Sequence, residues 1–285
     1  MEDAVWRMVL ELLPPDQLPD GRFRYSDRRM LMVTLWAIMC DRPFSWACRA
    51  EHWPTRWRPE ALPDQSTLSR RLQRPRFRAA LDDVLRRSQE AFGQIGREVF
   101  IDGRPLLIGG AGKDRDARKG RAVGGFGRGY KLHALTNGAN VFVALIIRPL
   151  NENEARVGLA LLATAPGGFR RVIGDGEYDT MRMHRAARQR GARLYAMPRQ
   201  RRVGRRAQPE RLHALRVLST AAGEALLRQR SAIERTFGDM SNLAIGFKGL
   251  PAWVRGLRRV DTWVKGKVLL YHCHLLAKRR ARKCA

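Results

Sequence analysis

Residues 97–109 read REVFIDGRPLLIG, and this stretch decides how the chain is read. Its β-branched and aromatic residues make a strand-like apolar run with one acid, Asp102, inside it. A carboxylate in such a run is costly unless a cation or hydrogen bonds compensate it. Upstream, apolar residues recur at helical spacing; from about Gly96 the period becomes that of strands. The 285 residues therefore divide into an all-helical N-terminal domain (1–95), an α/β domain (96–275) and a short basic tail (276–285).

In the helical part, Val5, Met8, Val9, Leu12 and Leu13 form one apolar stripe that ends at Pro14-Pro15. Ser26 can cap a second helix that stops before Pro43, and FSWACRAEHW reads as a third. STLSRRLQR, capped by Asp64 or Ser66, reads as a fourth, and Pro75 opens a fifth that closes at Gly93. Short helices joined by Pro and Gly turns fit a helix-turn-helix-like DNA reader. They fit equally a plain bundle that holds a dimer or packs on the next domain. Arg70, Arg71 and Arg74 would contact phosphates in the first case and form a solvated face in the second.

The α/β part opens with a strand over 98–108. The segment IGGAGKDRDARKGRAVGGFGRG follows, Gly-rich and basic, and reads as a mobile loop. It matches neither a P-loop nor a dinucleotide fingerprint. YKLHALT (130–136), an Asn137-Gly138 turn and NVFVALIIRPL (140–150) form a hairpin. A helix over 151–164, a strand over 170–174, a helix over 180–190 and a strand over 192–197 come next. The arginine-rich link RQRRVGRR leads to a mainly helical remainder from Pro209. The first three strands are expected as an antiparallel meander, and the later two should add in parallel by right-handed crossovers. The first and fourth strands then become neighbours.

That layout gathers acids. Asp102 lies on the first strand and Asp175, in RRVIGDGEYDT, at the end of the fourth. Glu234, in RQRSAIERTFGDM, lies on a later helix beside the apolar stripe Leu226, Ile233, Phe237 and Met240, which should pack it on the sheet. Three hard oxygen ligands suit Mg²⁺ or Mn²⁺ and metal-assisted phosphoryl transfer. Each acid also has a plainer reading. Asp102-Gly103 and the glycine-flanked Asp175 are turn chemistry, and Glu234 can simply pair with Arg230 four residues earlier.

Charge points to the partner. Lys and Arg number 55 against 27 Asp and Glu, a formal net charge of +28 with a pI near 11.5. Such a balance disfavours compaction unless a polyanion is a normal partner, and nucleic acid is the plainest one. No apolar run approaches the roughly 18 residues needed to span a bilayer, and the acidic N-terminus is no signal peptide. Cys40, Cys48, Cys273 and Cys284 form no CxxC pair, and the His272-Cys273-His274 run has no second ligand cluster of zinc spacing. A reducing, cytoplasmic setting, nucleoid-associated in a bacterium, is expected.

The pieces FIDGRPLLIG, GYKLHALTNG, RRVIGDGEYDT and RSAIERTFGDM together resemble bacterial insertion-sequence transposases of the DDE type. The resemblance spans about residues 30 to 275. It implies a ribonuclease-H-like (retroviral-integrase-like) mixed sheet flanked by helices, with Asp102, Asp175 and Glu234 as catalytic, metal-binding triad. The family signature around the glutamate is Tyr-x2-Arg-x3-Glu-x6-Lys; Arg230 and Glu234 match it, while Leu227 and Ser241 stand where the tyrosine and lysine would be. It further implies a transposase that cuts the terminal inverted repeats of its own element and joins them to target DNA, working on double-stranded DNA as at least a homodimer. The alternatives are a nuclease of the same fold without strand transfer, and a non-catalytic DNA-binding derivative. Lys131 and His133 on the second strand, Arg230, and the cluster Arg199, Arg201, Arg202, Arg205 and Arg206 are the remaining candidate DNA contacts. His133 reads as well as a core residue.

Overall fold

The computed structural model describes residues 2–18, 23–109, 113–198, 208–243, 246–247 and 249–284. In chain order the elements are α1 (Glu2–Leu12), α2 (Asp27–Met39), α3 (Gln65–Leu72), α4 (Pro75–Glu90), β1 (Glu98–Leu107), β2 (Arg118–Ala122), β3 (Gly125–Asn137), β4 (Phe142–Pro149), α5 (Glu154–Thr164), β5 (Arg171–Gly174), α6 (Met181–Gln189), β6 (Arg193–Ala196), α7 (Pro209–Leu218), α8 (Ala221–Arg228), α9 (Ser231–Asn242) and α10 (Leu257–Cys284). They group into two compact units. One comprises residues 1–92 and 242–285, the other residues 93–241. The division differs from the expected domain at 96–275. The long C-terminal helix α10 packs with α1, α2 and α4 and so joins the helical unit rather than the sheet.

The helical unit is organised by aromatic burial. Trp6, Trp36 and Trp53 pack on one another with ring centroids 5.0–6.1 Å apart, and Trp263 of α10 is fully buried. Ser26 caps α2 by accepting the Arg29 N–H, and Asp64 caps α3 through the Thr67 N–H. The helix expected over FSWACRAEHW is instead two 3₁₀ turns, Trp46–Cys48 and Ala50–His52. Arg49 between them is extended (φ −107°, ψ 133°), and the buried Trp53 indole donates to the Ala47 carbonyl, a bond that holds this tighter path. Cys273 and His272 are buried here, with His272 Nδ1 2.9 Å from the Ser88 hydroxyl.

The other unit is built on a six-stranded sheet. β3 pairs antiparallel with β1, β2 and β4, while β1, β5 and β6 run parallel. With β2 set aside, the order is β4-β3-β1-β5-β6. Only β3 opposes its neighbours, which is the ribonuclease-H-like arrangement expected. One face of the sheet is covered by α5 and α6 over a core that includes Val99, Ile101, Leu135, Leu161, Val172 and Met183. On the other face Phe237 of α9 meets Phe142 of β4, ring centroids 5.9 Å apart.

The Gly-rich segment departs from the expected mobile loop, because Arg118–Ala122 and Gly125–Gly129 pair as a hairpin. Glycines permit it. A methyl on Gly120 would lie 2.6 Å from the Leu150 carbonyl oxygen, and Gly124 and Gly125 turn with φ of 81° and 142°. The turn after β3 forms at Asn137 as expected, yet Asn140 rather than Gly138 takes the left-handed conformation (φ 59°). The Asn137 side chain fixes that loop by accepting from the N–H groups of Ala139 and Val141.

Candidate active site

Asp102 and Asp175 meet because their strands are adjacent and parallel. Ile101 of β1 is in register with Gly174 of β5, so the next residue on each strand is an acid at the same level. Ligands bind beyond the carboxyl ends of parallel strands in such sheets, and Asp175 stands at that end of β5. Asp102 Oδ1 accepts the Gly103 N–H at 2.7 Å, and Asp175 Oδ1 accepts the Glu177 N–H at 2.9 Å. These bonds orient both carboxylates.

A third acid joins them, and it is not the one expected. Glu154, the first residue of α5, places a carboxylate oxygen so that atoms of Asp102, Glu154 and Asp175 all lie within 4.8 Å of one another. Asn153 caps α5 through the Arg156 N–H. The only sequence signal for it is an acid just after a helix cap, a position that ordinarily serves the helix dipole. Its oxygens are held on two sides. Lys131 Nζ lies 2.6 Å from Oε1, and the buried Tyr178 hydroxyl donates to Oε2 at 3.2 Å.

The route by which Glu154 arrives depends on Gly103. Opposed residues of antiparallel strands share a face, so Gly103 lies with His133 and Pro105 with Lys131, while Asp102 lies with Ala134 on the other face. A methyl at position 103 would meet Lys131 Cδ at 2.7 Å and Glu154 Oε2 at 3.1 Å. The glycine leaves the gap in which the Lys131–Glu154 pair fits beside Asp102.

Electrostatics records the crowding. Burial is the largest reason the Asp102 carboxyl is pushed up to about 6; the Asp175 and Glu154 charges add to it, and the Gly103 N–H and Arg230 oppose it. Asp175 is raised for the same reasons, burial first, with Glu154 and Glu177 beside it. Burial and these acids hold the Tyr178 phenol well above its ordinary range. Three converging carboxylates are an all-oxygen, hard donor set, and a divalent cation would relieve their repulsion. The residues present fit such an ion.

Glu234 lies elsewhere on α9. Its side chain is 56% exposed and pairs with Arg230 at 3.1 Å. Arg230 is nonetheless close enough for its charge to favour the ionised forms of both Asp102 and Asp175. Arg104, on the Asp102 face of β1, donates to the Phe237 carbonyl at 2.9 Å and to Ser241 Oγ at 2.7 Å, tying the last turns of α9 to the sheet. The DGEYD loop is braced from behind. Buried Asp179 accepts two bonds from Arg211, at 2.9 and 2.7 Å, and faces His184 at 3.1 Å.

The expected DNA contacts fall into three groups. Arg70 is exposed on α3. Arg71, expected beside it on the same face, is buried: it pairs with Asp27 at 2.6 Å and sits over the Phe23 ring, so it holds the bundle together. Lys131 and His133 are both buried in the sheet, Lys131 on Glu154 and His133 with no hydrogen-bond partner for either ring nitrogen among the described residues. Arg199, Arg201, Arg202, Arg205 and Arg206 lie outside the described residues. No described helix is long and apolar enough to cross a membrane.

Comparison with known proteins bears on this site. A protein-family model described as the transposase DDE domain matches residues 94–270. Among solved structures, the cryo-EM structure of a piggyBac transposase synaptic complex with hairpin DNA is similar at 12% identity and a TM-score of 0.35, covering 73% of this chain and 51% of that one. The chain thus spans about half the length of that transposase chain. No curated protein matches.

Proposed function

The chain belongs to the transposase DDE-domain family, and from that premise we propose that it cuts the terminal inverted repeats of a mobile element and joins them to target DNA. The observation that carries this reading is the meeting of Asp102 and Asp175 at the level where β5 and its parallel pairing with β1 end, within metal-ligand distance of each other. Asp102 and Asp175 would hold Mg²⁺ or Mn²⁺, with Glu234 delivered by α9 as third catalytic acid. When bound, such ions lower the pKa of the attacking hydroxyl and neutralise charge on the leaving oxygen. The protein groups need not act as bases. Their work is to stay ionised, to be oriented by the Gly103 and Glu177 N–H groups, and to keep Arg230 near the phosphate.

The charge of +28 supports double-stranded DNA as substrate, bound mainly through phosphates and weakened by salt. Two ends handled together call for two active sites, so a homodimer on DNA is part of this reading. The test uses the purified chain, Mg²⁺ and duplexes carrying the sequences that flank its coding region. Cutting at both ends and joined products in a target plasmid are expected. Asp102→Asn and Asp175→Asn should lose cutting on the order of 10³-fold while still shifting DNA in a gel. Full cutting in either variant overturns the proposal. Cutting with no joined product from pre-cut 3′ ends points instead to a nuclease.

A further inference from the structure

We propose that Glu154 completes the metal-binding oxygen set of the DNA-free protein, a place that Glu234 takes up only when DNA phosphate has drawn Arg230 away from it. The inference rests on the metal-dependent reading above and assigns the resting state of the same site.

Three observations carry it. First, Glu154 already shares the 4.8 Å cluster with Asp102 and Asp175. Its two hydrogen bonds do not exhaust it. Lys131 occupies one position on Oε1 and Tyr178 one on Oε2, and each carboxylate oxygen accepts at two. The pair is largely buried, at 8% and 17% side-chain exposure, so the carboxylate is fixed in place before any ion arrives. Second, Glu234 is engaged elsewhere. More than half its side chain faces solvent, and its partner is Arg230 at 3.1 Å. Third, Arg230 stands between two negative neighbourhoods. From the turn just before α9 it binds Glu234 in the first turn of that helix, and its charge reaches Asp102 and Asp175.

A phosphate is the natural competitor for that guanidinium, since arginine matches phosphate geometry with two parallel bonds. Once Arg230 turns to phosphate, Glu234 loses the cation that holds it. It is then the free acid on a helix already packed on the Asp102 face of the sheet. The protein would in this way bind metal without DNA yet lack its third catalytic acid until a DNA strand is in place.

The experiment measures Mn²⁺ affinity of the full chain by electron paramagnetic resonance, with and without the flanking-sequence duplex. Without DNA, Glu154→Gln is expected to weaken Mn²⁺ at least tenfold, and Glu234→Gln to stay within about twofold of wild type. Glu154→Gln leaves Lys131 buried without its partner and can unfold the sheet, so the double variant Lys131→Gln/Glu154→Gln, which removes both charges, is measured beside it. It should show the same loss. With DNA, Glu234→Gln should bind Mn²⁺ at least fivefold more weakly than wild type. Wild-type affinity in the folded double variant, or an equal loss in DNA-free Glu234→Gln, overturns the inference. So does a Glu234→Gln affinity that DNA leaves unchanged. An Asp102→Asn chain that binds Mn²⁺ like wild type would instead bring down the metal-centre reading itself.

Discussion

At the scale of single residues, the sheet tolerates buried polar groups only where something fixes their charge. Lys131 and Glu154 neutralise each other. His133 is fully buried, with both ring nitrogens unpartnered among the described residues, and burial with the neighbouring Lys131 and Arg148 lowers its imidazole to about 3. Its folded pKa thus lies below the unfolded value near 6.5. The folded state binds fewer protons between those two values, so stability is whole above about pH 6.5 and falls as pH drops toward 3. Replacing His133 by Leu should remove that slope. From pH 7 to pH 5 wild type should lose about 2 kcal/mol more than His133→Leu, read from urea unfolding. Equal losses would show that His133 gains a partner or a proton in the folded state. His133 and Lys131 also mark a limit of sequence reading. Alternation along YKLHALT puts them on one face of a strand, but only the pairing with β1 and the covering helix α5 tell that this face is dry.

At the scale of elements, glycine spacing sets how closely strands approach. A methyl on Gly129 would stand 2.2 Å from the Leu106 carbonyl oxygen, a backbone atom that cannot swing aside. Gly129→Ala should therefore cost about 3 kcal/mol and loosen the β1–β3 ladder that carries Asp102. Gly138, in the open turn after β3, has nothing within 4 Å, and Gly138→Ala should change stability by less than about 0.5 kcal/mol. Thermal unfolding of the two variants checks the contrast, and similar shifts would refute it. Strand order was legible in the sequence because three alternating runs followed by strand–helix alternation leave few right-handed, uncrossed solutions. The β2 hairpin was not, because glycines that signal a flexible loop are the same glycines that admit a close backbone.

At the scale of the whole molecule, the unit containing α1–α4 is discontinuous in sequence, with its last helix arriving after the sheet has been made. α10 contributes Val260, Trp263, Val264, Val268, Leu269 and Leu270, all fully buried. A fragment of residues 93–241 should melt cooperatively with mixed α/β circular dichroism. A fragment of residues 1–92 should not melt cooperatively until residues 242–285 are supplied as a second peptide. A cooperative transition for 1–92 alone would contradict the division. The sequence placed residues 242–275 with the sheet because they follow it, and sequence adjacency carries no information about which apolar face a helix will cover.

Two acids, Asp102 and Asp175, were determined by sequence alone, because an acid in an apolar strand and an acid at a strand's end are local patterns that the βαβ rule then brings side by side. Strand content, the antiparallel-then-parallel sheet and the strongly basic charge follow from equally local features. What only the tertiary structure decided is the third carboxylate. Glu154 begins a helix and looks like an ordinary dipole partner. It reaches the other two because Gly103 has no side chain and because Lys131 and Tyr178, from two different elements, hold it there. Contacts among residues so far apart in the chain are made by packing, and no local pattern encodes them.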